Sequence, residues 1–173
     1  MSFTFDNKSC LILIDIQKDY EKVYDFENFK KNIISLLYYA RKNNILIIHI
    51  YEIDNKKSHW INFWQELCGK RKLNQGKPFN FSKPKKNEYF FVKNGFDAFF
   101  ETDLNNFLQK KNIKTLYISG LLTGVCVLNS VFSAYNLGYR IYLIENCCTD
   151  RTKKRHKSIF QNYSNYLFIK ENI

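Results

Sequence analysis

Three side chains of this 173-residue chain stand where chemistry gathers in folds of alternating strand and helix. Asp15 ends the apolar run Cys10-Leu11-Ile12-Leu13-Ile14, Lys93 ends the run from Tyr89 to Val92, and Cys126 follows the run from Thr115 to Ser119. An acid, a cation and a thiol are the parts of a cysteine hydrolase. Asp15 can take the thiol proton, Lys93 can support the charges of carboxylate and thiolate, and Cys126 can attack a carbonyl carbon. Around the thiol the sequence predicts a strand, a tight turn at Gly120-Leu121-Leu122-Thr123-Gly124, and a helix with Val127, Val131, Ala134 and Leu137 at spacings of three and four. Gly138 is placed to cap that helix. Cys126 is thereby expected in a first helical turn, where unpaired N–H groups and the positive end of the dipole favour a thiolate. Backbone N–H groups of the turn, and of Cys126 itself, could receive an oxyanion. Taken one at a time, each residue also fits an ordinary part: Asp15 a cap, Lys93 a loop lysine, Cys126 a small core residue.

The elements that must position these residues follow from hydrophobic patterning. The Cys10–Ile14 run is apolar on both faces, as a parallel strand covered by helices requires. Helical spacing of Phe29, Ile33, Leu36, Leu37 and Ala40 predicts a helix over Asn28–Asn43, and a second buried strand is expected at Ile45–Ile50. Asp54 to Asn87 is polar, holds both prolines and both tryptophans, and is expected to be irregular with a short helix near Trp60–Leu67. Thr102 is a candidate N-cap, with Asp103 in the first turn, for a helix running to Lys111. Strands at Arg140–Ile144 and Tyr166–Ile169 flank a helix over Thr152–Asn162. Strand and helix alternate throughout, which predicts an α/β fold with a mainly parallel sheet, in a single domain spanning residues 1–173. In such sheets ligands bind beyond the carboxyl ends of the strands, where the strand order reverses.

Composition narrows the function classes. The longest apolar runs are strand-sized, so no membrane span is expected, and no signal peptide is read at the N-terminus. Five cysteines without a C-x-x-C pair resemble neither a disulfide framework nor a zinc site, and reduced thiols in the cytoplasm are the expectation. A net charge of +11 raises the alternative of a nucleic-acid binder, but the lysines are scattered and the expectation is no nucleic-acid partner. A non-catalytic α/β module, flavodoxin- or receiver-like, is the alternative of another class. A receiver would need further acids at its strand ends, where this chain has Tyr51 and Lys93.

Three segments resemble the isochorismatase-like cysteine hydrolases, a family that includes nicotinamidases. Asp15-Ile16-Gln17-Lys18-Asp19-Tyr20 resembles the family's D-x-Q-x-D-[FY] opening, Lys93–Phe99 its lysine segment, and Gly120–Val127 its G-x-x-T-x-x-C-[VI] nucleophile motif. They occur in the family's order and cover most of the chain apart from Asp54–Asn87. The resemblance implies a Rossmann-like three-layer sandwich and a catalytic triad of Asp15, Lys93 and Cys126. It also implies a cis peptide at Leu121–Leu122 and an oxyanion hole formed by the amides of Leu122 and Cys126. The implied reaction is cleavage of a C–N bond in a small carboxamide or carbamoyl substrate through a thioester. Homo-oligomers are usual among such relatives, and one is expected here.

The chain also departs from its relatives. Nicotinamidases of this family carry a D-x-H metal site after the second strand, whereas this chain reads His49-Ile50-Tyr51-Glu52-Ile53-Asp54, with His59 beyond. The expectation is therefore no metal and no cofactor, with His49 a core histidine. A metal-dependent nicotinamidase using His49, Glu52, Asp54 and His59 is the alternative. Tyr20, Trp60, Trp64 and Phe99 are candidates to line the substrate pocket.

Overall fold

A computed structural model describes residues 5–55, 59–69 and 73–172, with the side chains of His59, Trp60, Trp64 and Cys68 outside that description. Six strands form one all-parallel sheet: β1 (Ser9–Ile14), β2 (Leu46–Glu52), β3 (Tyr89–Lys93), β4 (Thr115–Leu121), β5 (Arg140–Thr149) and β6 (Ile169–Glu171). Their order across the sheet is β3-β2-β1-β4-β5-β6. The chain winds outward from β1 to β3, then returns to the other side of β1 for β4. The switch point is therefore the junction of β1 and β4, where a parallel sheet opens a crevice.

The helices are α1 (Phe26–Lys42), α2 (His59–Cys68), α3 (Leu104–Lys110), α4 (Leu128–Asn136) and α5 (Lys153–Tyr163). One face of the sheet is covered by α1, whose Phe29, Ile33, Leu36, Leu37 and Ala40 pack on Leu11, Leu13 and Ile47. On the other face Leu104 and Leu108 of α3, Val131 and Ala134 of α4, and Phe160 of α5 pack on Ile12, Ile48 and Ile118. These are the three layers of a Rossmann-like sandwich. Every residue of β1 is buried, as an apolar run lying between two helical layers must be.

Several boundaries differ from the sequence reading, each for a local reason. β2 continues past Ile50 to Glu52 because β3 offers Lys93 as the register partner of Glu52. β5 runs on to Thr149 because a register shift between Ile118 and Gly120 lets β4 keep pairing, Gly120 with Cys148. The last strand begins at Ile169, since Leu167 and Phe168 are turned into the core and the Leu167 amide donates back to the Tyr163 carbonyl. Helix α3 starts at Leu104 with Asp103 as N-cap, while the Thr102 hydroxyl donates to the Ala98 carbonyl at 2.6 Å and its oxygen accepts the Leu104 amide at 3.4 Å. Thr152 does cap α5, its hydroxyl oxygen accepting from the Arg155 amide at 3.3 Å.

Candidate active site

Asp15 leaves β1 with φ of 52°, the left-handed region that costs a non-glycine residue about 1–2 kcal/mol. The D-x-Q spacing explains what holds it there. Gln17, fully buried, donates through Nε2 to the Glu52 carbonyl and accepts the Glu52 amide on Oε1, both at 3.0 Å. Asp19 accepts from the same Gln17 Nε2 at 3.2 Å. The turn after β1 is thus clamped to the end of β2. Gly120 allows the matching approach on the other side: a Cβ there would lie 2.0 Å from the Ile14 carbonyl oxygen.

Lys93 ends an edge strand two places from β1, roughly 10 Å away at the usual strand spacing. Its buried side chain spans that gap, and Nζ reaches 2.8 Å from Asp15 Oδ2. The same ammonium donates to the Gly95 carbonyl at 2.7 Å. Asp97, further along the lysine segment, accepts from the Ser133 hydroxyl of α4 at 2.6 Å. Ser130 then joins the segment to the thiol's turn: its hydroxyl oxygen accepts the Ala98 amide at 3.0 Å while its proton goes to the Cys126 carbonyl at 2.7 Å.

Cys126 sits in a π-helical turn, Thr123–Val127, that leads into α4. Asp150 and His156 pin this turn from behind. Asp150 Oδ2 accepts the Gly124 amide at 2.8 Å, and the Thr123 hydroxyl meets His156 Nδ1 at 2.9 Å. The Leu121–Leu122 peptide just before it is cis. Asp15, Glu52 and Cys126 are buried, and a carboxylate oxygen of each acid and the Cys126 sulfur all lie within 4.8 Å of one another.

The electrostatics differ from those of an exposed helix end. Burial pushes the Cys126 thiol well up, the Asp15 charge adds to this, and Lys93 opposes it. The resting thiol is therefore protonated, contrary to the expectation of a readily ionised one. Burial likewise raises the Asp15 carboxyl against the pull of Lys93. Burial disfavours the Lys93 charge, but Asp15, Cys126 and Glu52 together outweigh it and hold the ammonium above its ordinary range.

Of the pocket candidates, Tyr20 is brought to this cluster. It is buried, its hydroxyl donates to the Glu52 carboxylate and accepts from Asn74 Nδ2 at 3.0 Å, and burial with nearby Cys126 raises its phenol. Phe99 stacks on Tyr139 at 6.1 Å, just before β5, and packs partly buried against the core. The side chains of Trp60 and Trp64 lie outside the described residues.

The alternative metal ligands do not gather among the described residues. His49 lies on the other face of β2 from Glu52, its Nε2 2.9 Å from Glu88 Oε2, and Asp54 Oδ2 accepts the Asn74 amide at 2.7 Å. The His59 side chain lies outside the described residues. Asp15, Glu52 and Cys126 are near enough to surround a cation, and among the described residues the Lys93 ammonium stands 2.8 Å from Asp15. Sequence reasoning missed Asn74 and weighed Glu52 only as an alternative metal ligand. The signal for Glu52 was topological: β2 lies between β1 and β3, so whatever ends β2 lies between Asp15 and Lys93.

The family model for the isochorismatase domain matches residues 9–169. The chain belongs to the isochorismatase family. An uncharacterized isochorismatase family protein of Bacillus subtilis, YddQ, is 26% identical over 167 residues, covering 93% of this chain and 89% of that protein. A probable inactive nicotinamidase of Arabidopsis thaliana is 27% identical over 150 residues, covering 76% and 74%. Among solved structures, N-carbamoylsarcosine amidase from Thermoplasma acidophilum superposes with a TM-score of 0.77 at 16% identity, covering 95% of each chain. At that identity the likeness establishes the fold.

Proposed function

We propose that this protein is a cysteine hydrolase that cleaves a C–N bond of a small carboxamide or carbamoyl compound through a thioester on Cys126. One observation carries the reading: a buried Asp15–Lys93 ion pair of 2.8 Å stands beside a buried thiol. A buried ion pair is costly to build and is weak support for stability, so its place at the switch point of the sheet argues for function.

The chemistry follows from the protonated resting thiol. As Sγ attacks the carbonyl carbon, Asp15 takes its proton, the S–C bond forms, and the carbonyl π pair moves onto oxygen. The amides of Leu122 and Cys126 are the proposed donors to that oxygen. Lys93 keeps Asp15 anionic until the proton arrives and then offsets the charge forming beside it. Collapse breaks the C–N bond, and the proton on Asp15 passes to the departing nitrogen, which leaves as ammonia or an amine. Water then attacks the thioester while Asp15 accepts its proton. The S–C bond breaks, the sulfur regains that proton, and a carboxylic or carbamic acid leaves.

The test is ammonia release from a panel of nicotinamide, pyrazinamide and simple carbamoyl compounds. Cys126→Ala is expected to abolish turnover with the fold intact, and Asp15→Asn to lower kcat roughly a thousandfold or more. Retention of activity by Cys126→Ala would place the nucleophile elsewhere.

A further inference from the structure

The turn that carries Cys126 has no cap of its own. Its N-cap residue, Leu122, offers no side-chain acceptor, and the Leu122 carbonyl takes the amides of Val125 and Val127 at 3.0 and 3.3 Å. A π-helical turn holds one residue more than an α turn, and such turns are found mostly at functional sites. Two buried side chains from the junction of β5 and α5 supply the missing partners. Asp150, 0% exposed just past β5, accepts the Gly124 amide on Oδ2 at 2.8 Å. Its Oδ1 is fixed in turn by the Arg151 amide at 2.7 Å and by Arg155 Nε at 3.1 Å. His156, buried in the first turn of α5, meets the Thr123 hydroxyl through Nδ1 at 2.9 Å. Burial lowers the pKa of this ring, so at neutral pH it is uncharged and one nitrogen can accept the Thr123 proton.

We propose that Asp150 and His156 are positioning residues for the reaction. By fixing Gly124 and Thr123 from behind, they aim the amides of Leu122 and Cys126 at one point, where the substrate's carbonyl oxygen becomes an oxyanion. Neither side chain needs to touch the reacting atoms. This inference rests on the reading of Cys126 as the nucleophile and of those two amides as the donors.

The placement of the two pegs favours aim over mere support. Thr123 and Gly124 lie between the two donors in the chain, so a slip of either changes the angle at which the donors converge. An oxyanion donor must stand about 2.7–3.1 Å from the developing charge, and a hydrogen bond weakens steeply below about 120°. A carboxylate grips an amide more firmly than a neutral acceptor does, but a buried one is a costly way to hold a single turn. Helix α5 leaves the turn no slack. A Cβ on Gly124 would stand 3.2 Å from Asp150 Oδ2 and 3.5 Å from the Ile159 side chain.

The experiment compares two reactions of one sulfur in the full chain. Acylation by p-nitrophenyl acetate forms the S–C bond through an oxyanion and expels p-nitrophenolate. Alkylation by iodoacetamide forms an S–C bond and expels iodide with no oxyanion. Both rates are read for Cys126, with Cys126→Ala as the background. Asp150→Ala is expected to slow acylation roughly a hundredfold, as loss of an oxyanion donor does, and to change alkylation less than about threefold. Asp150→Asn keeps a carbonyl oxygen for Gly124 and should fall between Asp150→Ala and wild type. Thr123→Val keeps the volume, removes the hydroxyl and should slow acylation roughly tenfold, with Thr123→Ser restoring it. If Asp150→Ala does not fold, the Thr123 pair decides. Unchanged acylation in the folded variants would overturn the assignment by confining both side chains to stability. Acylation and alkylation slowed alike would overturn it by placing the effect on the thiol. Acylation of Cys126→Ala at the wild-type rate would instead overturn the nucleophile, a result that does not pass through the ratio of the two rates.

Discussion

Glu88 and Glu52 are both carboxylates packed against β2, and the protein treats them in opposite ways. Glu88 precedes β3 on the α1 side of the sheet. It receives Arg41 through Nε at 2.7 Å and Nη2 at 3.1 Å, His49 Nε2 at 2.9 Å and the Lys85 amide at 3.0 Å. Burial works against its charge, but these donors prevail and bring its pKa down to about 2. Glu52, three residues beyond His49, receives the neutral donors Tyr20 and Asn74. Burial raises it to about 7, with Asp15 and Asp54 adding to the rise and Lys93 opposing. Burial alone does not mark a functional acid. The difference lies in the net electrostatics: charged donors outweigh burial at Glu88, whereas at Glu52 burial and the neighbouring carboxylates prevail.

The sharpest way to break this contrast is to remove the Lys93 ammonium from the Glu52 side. Lys93→Met leaves Asp15 uncompensated beside Glu52 and the thiol. It is expected to cost roughly 3–5 kcal/mol at neutral pH, read from the denaturant midpoint, together with loss of turnover. The cost should shrink in acid, where Asp15 is protonated. A Lys93→Met protein as stable as wild type at pH 7 would mean that the 2.8 Å contact does not govern the charge of this cluster.

Glu88→Gln probes the other side and should behave as a purely structural lesion. It removes an acceptor that Arg41, His49 and the Lys85 amide share, at a cost of roughly 1.5–3 kcal/mol at neutral pH. The sign with pH follows from its lowered pKa. The folded state holds fewer protons on Glu88 than the unfolded state, so the stability it contributes is present above the ordinary carboxylate range near 4.5 and is lost as pH falls towards about 2. The gap in melting temperature between variant and wild type should therefore close in acid, with kcat unchanged at neutral pH. A change in kcat without a change in stability would tie Glu88 to the reaction and erase the contrast with Glu52.

Much of this was legible in the residues, and the reasons are specific. The continuous apolar run ending in Asp15 reveals a parallel strand because only a doubly covered strand is apolar on both faces, whereas the run ending in Lys93 is an edge strand with Phe90 and Val92 exposed. The turn before Cys126 is legible because a glycine stands at position 120, where Ile14 approaches, and because the helical spacing resumes directly after Cys126. What escaped were properties of the assembled sheet. That β2 ends on Glu52 depends on its register with Lys93, a partner 41 positions further along by their numbers. Asn74 lies in the polar stretch after α2 and carries no periodic signal, yet it reaches Tyr20 and Glu52. The ring contact of Phe99 likewise depends on the assembled sheet: its backbone follows Ala98, whose amide Ser130 accepts, and the ring stacks on Tyr139. The thiol was misread for a related reason: a helix end promotes ionisation only where water or a cation sustains the charge, and burial depth is not visible in a motif.

The smallest expected effect is also the most discriminating. Glu52 has a folded pKa raised from 4.5 to about 7, so between those values the folded state binds more protons than the unfolded one. Its contribution to stability is thus fully present below about pH 4.5 and is lost as pH rises through about 7, the reverse of Glu88. Glu52→Gln keeps a carbonyl acceptor for Tyr20 and Asn74 and removes the titration. It should match wild type at pH 4.5 and exceed it by roughly 1–2 kcal/mol at pH 8. Melting temperatures of both proteins across that range give the answer directly. A variant destabilised equally at both ends would show that Glu52 is ionised throughout and held like Glu88. A variant stabilised only at the alkaline end is what a carboxyl raised by burial and by the neighbouring Asp15 charge must give.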